Sequence, residues 1–527
     1  MRVNTSTLSG AAGATHSGTG FDPARMVEIS EFLARLPVRI DNLTANSREA
    51  QQGTAFLAYP GHAHDGRDYI ADAIAHGTSA VLWERQRGVP PRGVPPFSWR
   101  AEWRVPNLAV ADLKAQASAI AGQVFGHPAE QLWMVGITGT NGKTSVSQWV
   151  AQALQAMGRP AGIIGTLGNG PVGRLTASAN TTPDAIVLQR LLRDFLRQGL
   201  SVCAMEVSSH GLEQERVAGL KYDVAVFTNL TRDHLDYHGT MENYGAAKAR
   251  LFDAPGLKTA VINVDDAFGR SLAVRVAARG VTVIPFARIN SGGADLIATD
   301  IAITAGGLRF RVTGKYGEAI VESDILGAFN VSNLLAVIGV LLASGVSLNE
   351  AARRASELRP VPGRMQTARQ TGKPLVVVDY AHTPDALEKA LTTLAAIIPE
   401  SGKLISVFGC GGDRDRGKRP QMAAVSARFA DFTLLTSDNP RSENPQHILA
   451  DIEAGMEARG GGHAPYRCIV DRRAAIFAAL EMATPADIVL IAGKGHEDYQ
   501  IMGDVRHHFS DAEVAHEALA QWQGGSP

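Results

Sequence analysis

The stretch Gly136-Ile-Thr-Gly-Thr-Asn-Gly-Lys-Thr144 limits what this chain can fold into more than any other. A short apolar run, Leu132 to Val135, leads into it, and Ser145 to Met157 reads as a helix beyond it. Strand, glycine-rich turn and helix in that order make a phosphate cradle. The glycines let backbone N–H groups reach phosphate oxygens, and the helix N-terminus adds its positive end. Gly139, Thr140, Asn141 and Gly142 would form the turn, Lys143 would reach the β- and γ-phosphates, and the Thr144 hydroxyl would sit on Mg²⁺. The strict spacing asks for glycine where Ile137 stands, so Gly139 and Gly142 do the bending. A turn that merely joins strand to helix is the plain alternative. With Gly-Lys-Thr at the start of a helix, an ATP site is the expectation.

At 527 residues the chain exceeds what one core can serve, and about two to four domains are expected. Hydrophobic residues at 45% and charged residues at 20% describe an ordinary globular protein, and a formal net charge of −1 supplies no general pull toward nucleic acid or membrane. The three cysteines, Cys203, Cys410 and Cys468, are scattered, which fits a reducing compartment and gives no disulfide framework or metal-ligand spacing. Met1 to Gly20 is polar and rich in small residues, lacks the charged-then-apolar order of a signal peptide, and is expected to be disordered. The longest apolar stretch, Val331 to Val346, is broken by Ser332, Asn333 and Ser344 and reads as a buried helix, not a membrane span. A cytoplasmic protein that does not insert into membranes, and a monomer, is the expectation.

Three α/β domains are expected, over residues 1–106, 107–345 and 346–527. In the first, Thr54 to Ala58 and Ser79 to Trp83 read as strands around a helix from Asp68 to His76. Its polar loops, Asn46-Ser-Arg48 and Gly61-His-Ala-His-Asp-Gly-Arg67, suit a polar ligand as well as plain surface. Arg85 to Arg104, rich in Pro and Arg, reads as an inserted loop. A helix from Ala109 to Phe125 is expected to lead into the central domain. There Val202 to Met205 and Val224 to Phe227 are continuous apolar runs, as in parallel strands covered on both faces. Each ends in a polar cluster, Glu206 to His210 and Thr228 to His238, and ligands of open parallel sheets bind beyond the carboxyl ends of strands. In the third domain the strands Leu375 to Asp379, Leu404 to Phe408, Phe432 to Thr436 and Ile488 to Ala492 each deliver a charged or glycine-rich loop at the same end. That pattern is a second doubly wound, Rossmann-like domain.

Glu206 and His234 come at the ends of strands expected to flank the phosphate loop, where a hard cation takes carboxylate or imidazole ligands and several waters. A solvated acid and a structural hydrogen bonder are the plain alternatives. Arg414, Arg416, Lys418 and Arg419 form a charge run, usually a solvated face, but Gly411, Gly412 and Gly417 thread through it and suit close approach to an anion. Asp438-Asn-Pro-Arg441 reads as a turn or as a mount for an arginine that clamps a carboxylate. Cys410 has no base at a recognisable spacing and reads as a small buried residue.

Taken together, Thr138 to Thr144, Asn180-Thr-Thr-Pro183, Met205 to Gly211, Asn229 to His238, Tyr244 to Lys248, Asn330 to Asn333, Pro362-Gly-Arg364, Asp379 to Pro384, the Gly-Gly-Asp-Arg-Asp loop, Asp438 to Arg441 and Gly493 to Glu497 resemble the Mur ligases. The likeness covers nearly the whole chain from about residue 40. It implies an ATP-dependent amide-bond ligase of peptidoglycan precursor synthesis, with a UDP-binding N-terminal domain, a central ATPase of mostly parallel sheet and a C-terminal Rossmann-like domain. Its implied substrates are a UDP-N-acetylmuramoyl-dipeptide and meso-diaminopimelate. By motif match, Ser47, His62, Ala63 and His64 would hold the uridine diphosphate end. Asn180, Thr181, Thr182, Ser208, Gln214 and Arg216 would meet the muramoyl-dipeptide. Asn330, Arg364 and Asp379 would hold the nucleotide. Arg414, Asp438, Asn439, Pro440, Arg441, Gly493 and Glu497 would hold diaminopimelate. Lys248 matches a lysine that family members carboxylate with CO₂, although its local sequence is that of an exposed helical lysine.

Three rivals stand beside this reading: a lysine-adding relative, a folylpolyglutamate synthetase, and a phosphate-loop switch that hydrolyses ATP to drive partner binding. Arg441 opposes the first, because a guanidinium suits a second carboxylate that lysine lacks. The N-terminal domain opposes the second. Hydrolysis without either ligation substrate would mark the third.

Overall fold

The computed structural model describes residues 22–61, 64–85, 97–178, 180–289, 292–457 and 465–524. Among them the chain packs as two compact units. One takes residues up to Leu132 together with Thr182–Gln198 and Ser209–Lys221, and the other takes the rest.

The first unit holds a four-stranded parallel sheet: Asn42–Thr44, Thr54–Ala58, Ala80–Glu84 and Asn107–Val110, in that spatial order. The expected helix from Ala109 begins later than its sequence suggests. Leu108 and Val110 extend the sheet beside Ala80–Glu84, and the helix runs only over Leu113–Val124. Its N-terminus is capped from the neighbouring strand: the Glu84 carboxylate accepts from the backbone N–H of Asp112 at 2.7 Å and of Leu113 at 2.6 Å. A cap supplied by a residue so far back in sequence leaves no local signature.

The second unit holds a ten-stranded and a six-stranded sheet among the described residues. In the larger, Trp133–Thr138 lies between Val202–Glu206 and Val224–Phe227, all parallel, so three strand ends converge on the phosphate loop. All three strands are almost wholly buried, which explains their unbroken apolar runs. The apolar stretch forms the helix Ala328–Ala343, packed in the core of this sheet. No helix among the described residues is long and apolar enough to cross a membrane. In the smaller sheet Leu375–Asp379, Ile488–Ala492, Leu404–Phe408 and Phe432–Leu435 are parallel neighbours in that order. Their carboxyl ends place Asp379, Gly493, Gly409 and the 436–441 loop at one edge.

Candidate active site

The phosphate loop is shaped by what presses on it. Gly139 and Gly142 have φ of 147° and 87°. A Cβ at 139 would lie 1.9 Å from Thr228 Oγ1, and one at 142 would lie 2.4 Å from Asn333 Oδ1. Glycine is therefore required at both by close approach and by backbone conformation. The strand end after Val224–Phe227 clamps the turn: Thr140 N donates to Asn229 O at 2.8 Å, Asn141 N to Asn229 Oδ1 at 3.0 Å, and Thr228 Oγ1 to Asn141 O at 2.6 Å. The helix Lys143–Ala156 starts directly from this held turn.

Glu206 is not a solvated acid. It is 1% exposed. Its carboxylate accepts from Thr144 Oγ1 at 3.0 Å, from Thr166 N at 2.8 Å and from Thr166 Oγ1 at 3.1 Å. A side chain at Gly165 would collide with it, at 2.3 Å from Oε1. Thr166 Oγ1 also shares a hydrogen bond with Thr181 Oγ1 at 3.1 Å, so one of the expected substrate residues lies one bond from this carboxylate. A buried carboxylate touching the phosphate-loop hydroxyl is a donor set that fits a hard divalent cation.

Two lysines converge on the loop. Lys143 Nζ donates to the carbonyls of Gly139 and Thr140, both at 2.8 Å. Lys248 Nζ donates to the same Gly139 carbonyl at 2.8 Å and lies 4.2 Å from the Tyr244 ring centroid. Lys248 is 1% exposed, which overturns the exposed reading of its local sequence. Burial, reinforced by the charge of Lys143, holds its amine well below the usual ammonium range. Burial lowers Lys143 too, with Glu206 and Asp233 opposing. His234 sits at φ 52°, roughly half exposed, with Nε2 3.4 Å from Asp233. Its ring lies 6.1 Å from that of Tyr244. Asp233 also acts on both lysines.

Asn330 is buried, donates to Leu326 O at 2.6 Å and accepts from Asn333 Nδ2 at 2.8 Å, and Asn333 is the residue pressed against Gly142. Arg364 stacks 4.7 Å from the Tyr380 ring centroid. Asp379 accepts from Met365 N at 2.7 Å, and burial raises its carboxyl against the opposing charge of Arg364.

At the edge of the six-stranded sheet, Asp438, Asn439 and Pro440 are buried in the loop after Phe432–Leu435, and Arg441 follows at φ 50°. Arg441 Nη1 donates to Gly412 O at 2.8 Å. Asn439 Nδ2 donates to Glu497 Oε2 at 2.8 Å. The glycines of the basic loop serve packing: a Cβ at 412 would lie 1.9 Å from Pro440 O, and one at 409 would lie 2.2 Å from Thr436 O. Arg416 and Arg419 are engaged by Glu443 at 3.1 and 2.8 Å, Lys418 donates to His382 O at 2.9 Å, and Arg414 is exposed. Cys410 is buried, with its thiol pushed up to about 12 by burial.

In the first unit, Ser47 is buried, and Arg216 grips Thr182 O at 2.6 Å and Gln214 Oε1 at 2.7 Å. His64 packs edge-on to Tyr69 at 6.3 Å. Asn180 is exposed, and Ser208 follows the strand that ends at Glu206. His62 and Ala63 lie outside the described residues.

Comparison with known proteins agrees along the chain. Residues 39–122 match the catalytic domain of the Mur ligase family, 137–341 the Mur ligase middle domain, and 363–495 the Mur ligase glutamate ligase domain. The UDP-N-acetylmuramoyl-L-alanyl-D-glutamate–2,6-diaminopimelate ligase of Chromobacterium violaceum is 49% identical, over 93% of this chain and 96% of its own. The chain belongs to the Mur ligase family. The enzyme of the same name from Ectopseudomonas mendocina is also 49% identical, over 92% of this chain and 96% of its own. A solved structure of a ligase of that name superposes with a TM-score of 0.67 at 37% identity, covering 92% of this chain and 95% of the other.

Several residues of this Mur ligase site lay outside the sequence reading. Thr166 carries no pattern of its own, and Asp233 stands inside the Asn229 to His238 motif without being singled out there. Lys494 stands inside the Gly-Lys-Gly-His-Glu497 motif, yet only the structure shows it fully buried against Glu497 at 3.2 Å. Arg472 opens the helix Arg472–Met482. It is fully buried, 2.7 Å from Asp511, and donates to the carbonyls of Ser437 and Ala492 where two strands end.

Proposed function

We propose that this Mur ligase joins meso-diaminopimelate to UDP-N-acetylmuramoyl-L-alanyl-D-glutamate at the expense of ATP, with 1–106, 107–345 and 346–527 as its substrate, ATPase and amino-acid domains. The observation that carries the reading is the convergence of Lys143, Lys248 and the Thr144–Glu206 pair on one clamped phosphate loop. The named relatives supply the substrates.

In the first step the D-glutamyl carboxylate attacks the γ-phosphorus of ATP, giving an acyl phosphate and ADP. The amine of diaminopimelate then attacks the acyl carbon, loses a proton, and expels inorganic phosphate from the tetrahedral intermediate. Two anions must meet in the first step. Lys143 offers positive charge at the β- and γ-phosphates, and the held turn offers backbone N–H groups in a fixed array. Asn330, Arg364 and Asp379 would hold the rest of the nucleotide. Thr144, Glu206 and His234 would hold magnesium, which when bound neutralises phosphate charge. The unprotonated amine is the form that adds to CO₂, and the burial that lowers the pKa of Lys248 eases loss of its proton, so its surroundings favour a carbamate there. Its oxygens would complete the acidic ligand set. Ser47 and the 62–64 loop are assigned to the uridine diphosphate, and residues 180–182, Ser208, Gln214 and Arg216 to the muramoyl-dipeptide. Arg414, the 438–441 turn, Gly493 and Glu497 are assigned to the amino acid. We assign the protein to the cytoplasm, as a monomer.

The test is phosphate release against a panel of diamino acids, with and without the UDP-substrate. Release that needs both substrates and prefers meso-diaminopimelate supports the reading. Release without either supports a switch, and preference for L-lysine supports a lysine-adding enzyme.

A further inference from the structure

Lys494 has no role in the scheme above. It follows the strand Ile488–Ala492 at the amino-acid rim, and its side chain is fully buried. Its Nζ lies 3.2 Å from Glu497 Oε2, 3.2 Å from Asn439 Oδ1 and 3.5 Å from Asp438 Oδ1. Asn439 Nδ2 donates to the same Glu497 oxygen at 2.8 Å. One ammonium thus gathers two carboxylates and an amide, all from segments assigned to the amino acid.

The charge count around it is informative. Arg472 is matched by Asp511 at 2.7 Å, and Arg506 by Asp498 at 3.2 Å, so neither adds net charge to the rim. Asp413 and Arg414 are exposed and opposite in sign, so what remains is Arg441 and Lys494 against Asp438 and Glu497, a balance of zero. The two candidate amino acids differ in this currency. The far end of diaminopimelate carries an ammonium and a carboxylate and is neutral overall, whereas the far end of lysine carries a lone positive charge. A neutral, internally polarised rim suits the first. A rim with one cation fewer suits the second, because two carboxylates then face the ligand with a single arginine.

We propose that Lys494 is a specificity-determining positioning residue. It holds Asp438 and Glu497 in place and sets the rim to neutrality, so that a diamino acid with a zwitterionic far end is preferred over one with a lone ammonium. The proposal rests on the ligase reading above. It adds a residue to the amino-acid site and gives a reason, separate from Arg441, why lysine is refused.

The experiment is steady-state ligation with meso-diaminopimelate and with L-lysine, using the full chain and the variants Lys494→Met, Lys494→Arg and Glu497→Gln, with ADP binding as a check on folding. Lys494→Met should raise the KM for diaminopimelate roughly thirty-fold or more, the change that corresponds to about 2 kcal/mol. It should also lower the preference for diaminopimelate over lysine by about tenfold or more, a loss of about 1.4 kcal/mol in discrimination. Lys494→Arg keeps the charge and should retain most of the preference. Glu497→Gln removes an anion and should move the preference the other way, lysine losing more than diaminopimelate. Equal losses for both amino acids in Lys494→Met, or a shift toward lysine in Glu497→Gln, would overturn the proposal. If Lys494→Met fails to bind ADP, the Glu497→Gln arm decides alone. A parent enzyme that prefers lysine overturns the ligase reading as well. A parent that prefers diaminopimelate, with an unchanged ratio in the variants, overturns this proposal only.

Discussion

At the phosphate loop the amines of Lys143 and Lys248 both donate to one backbone carbonyl, that of Gly139, at 2.8 Å. At the edge of the six-stranded sheet Lys494, Arg419 and Arg472 meet carboxylates at 3.2, 2.8 and 2.7 Å. Both regions bury basic groups, but at the loop the amines hydrogen-bond to backbone carbonyls while Glu206 and Asp233 act from a distance, and the second region pairs its cations directly with carboxylates. A cation held by carbonyls loses hydration without gaining a directly bonded counter-ion, so its affinity for an arriving polyanion stays high. A cation already paired has little attraction left to offer and serves instead to fix geometry. On this comparison the loop should act through charge and the rim through position.

The largest expected effect follows from the first half of that statement. Lys143→Ala should lower the ligation rate by about 10³-fold or more, since the removed charge acts where the transferring phosphoryl group carries its negative charge. Phosphate release in the presence of both substrates measures it. Turnover within a few-fold of the parent would break the comparison at its strongest point.

Arg441→Ala tests the second half. The Arg441 backbone stands at φ 50° and its guanidinium donates to Gly412 O at 2.8 Å, so the direction of the side chain is set before any ligand arrives. Its loss should weaken use of meso-diaminopimelate by roughly 2–5 kcal/mol, the range for a truncated charged contact, while ADP binding stays near that of the parent. Arg441→Lys should also be poor, because a point charge does not reproduce a bidentate fork. Unchanged diaminopimelate kinetics would remove Arg441 from the pocket.

The contrast between these regions was only half legible in the sequence. The phosphate loop announces itself because every requirement on it is local: a strand, two glycines and Lys-Thr at a helix start. Glu206 was placed by its strand end. The environment of Lys248 was not legible, because its hydrogen-bond acceptor is Gly139, more than a hundred residues earlier, and nothing in Ala-Ala-Lys-Ala-Arg records that. The same holds for Arg472, whose partner Asp511 lies on a later helix, and for the helix cap that Glu84 supplies to Leu113. Gly412 was legible as a position of close approach. The approaching group is the Pro440 carbonyl, which only the folded loop pair reveals.

His496 sharpens the comparison, because it is a basic group of the loop kind standing on the third sheet. Among the described residues its Nδ1 is buried without a hydrogen-bond partner, and burial together with the charge of Arg364 lowers its pKa from 6.5 to about 4. The folded pKa is the lower one, so between the two values the unfolded chain binds a proton that the native protein refuses. Stability is therefore full above about pH 6.5 and falls as pH drops toward 4, by at most roughly 3 kcal/mol from this group. His496→Gln should flatten that limb relative to the parent in urea unfolding at pH 7.5 and pH 5. An identical pH dependence in both proteins would mean that the imidazole charges freely in the native state.

The smallest effect is the one that separates charge held for function from charge held for structure. Lys248 is 1% exposed, and its folded pKa lies well below the ordinary value of 10.5. At neutral pH the unfolded chain binds a proton on this amine that the native protein holds less readily, so native stability rises with pH until the unfolded pKa is passed. Replacing the lysine with methionine removes that cost and keeps most of the buried volume. The Gly139 carbonyl is not orphaned by the change, because Lys143 still donates to it at 2.8 Å. Lys248→Met should therefore be more stable than the parent at pH 7, a gain that shrinks as pH approaches 10.5. Ligation should nevertheless be nearly lost, and in Lys248→Ala small carboxylates should restore part of it by standing in for carbamate oxygens near the metal. In the rim, breaking a matched pair by Arg472→Met should instead cost stability, because Asp511 would be left buried and unpaired. If Lys248→Met destabilises the protein as Arg472→Met does, the two regions hold their charge for the same reason and the distinction between them fails.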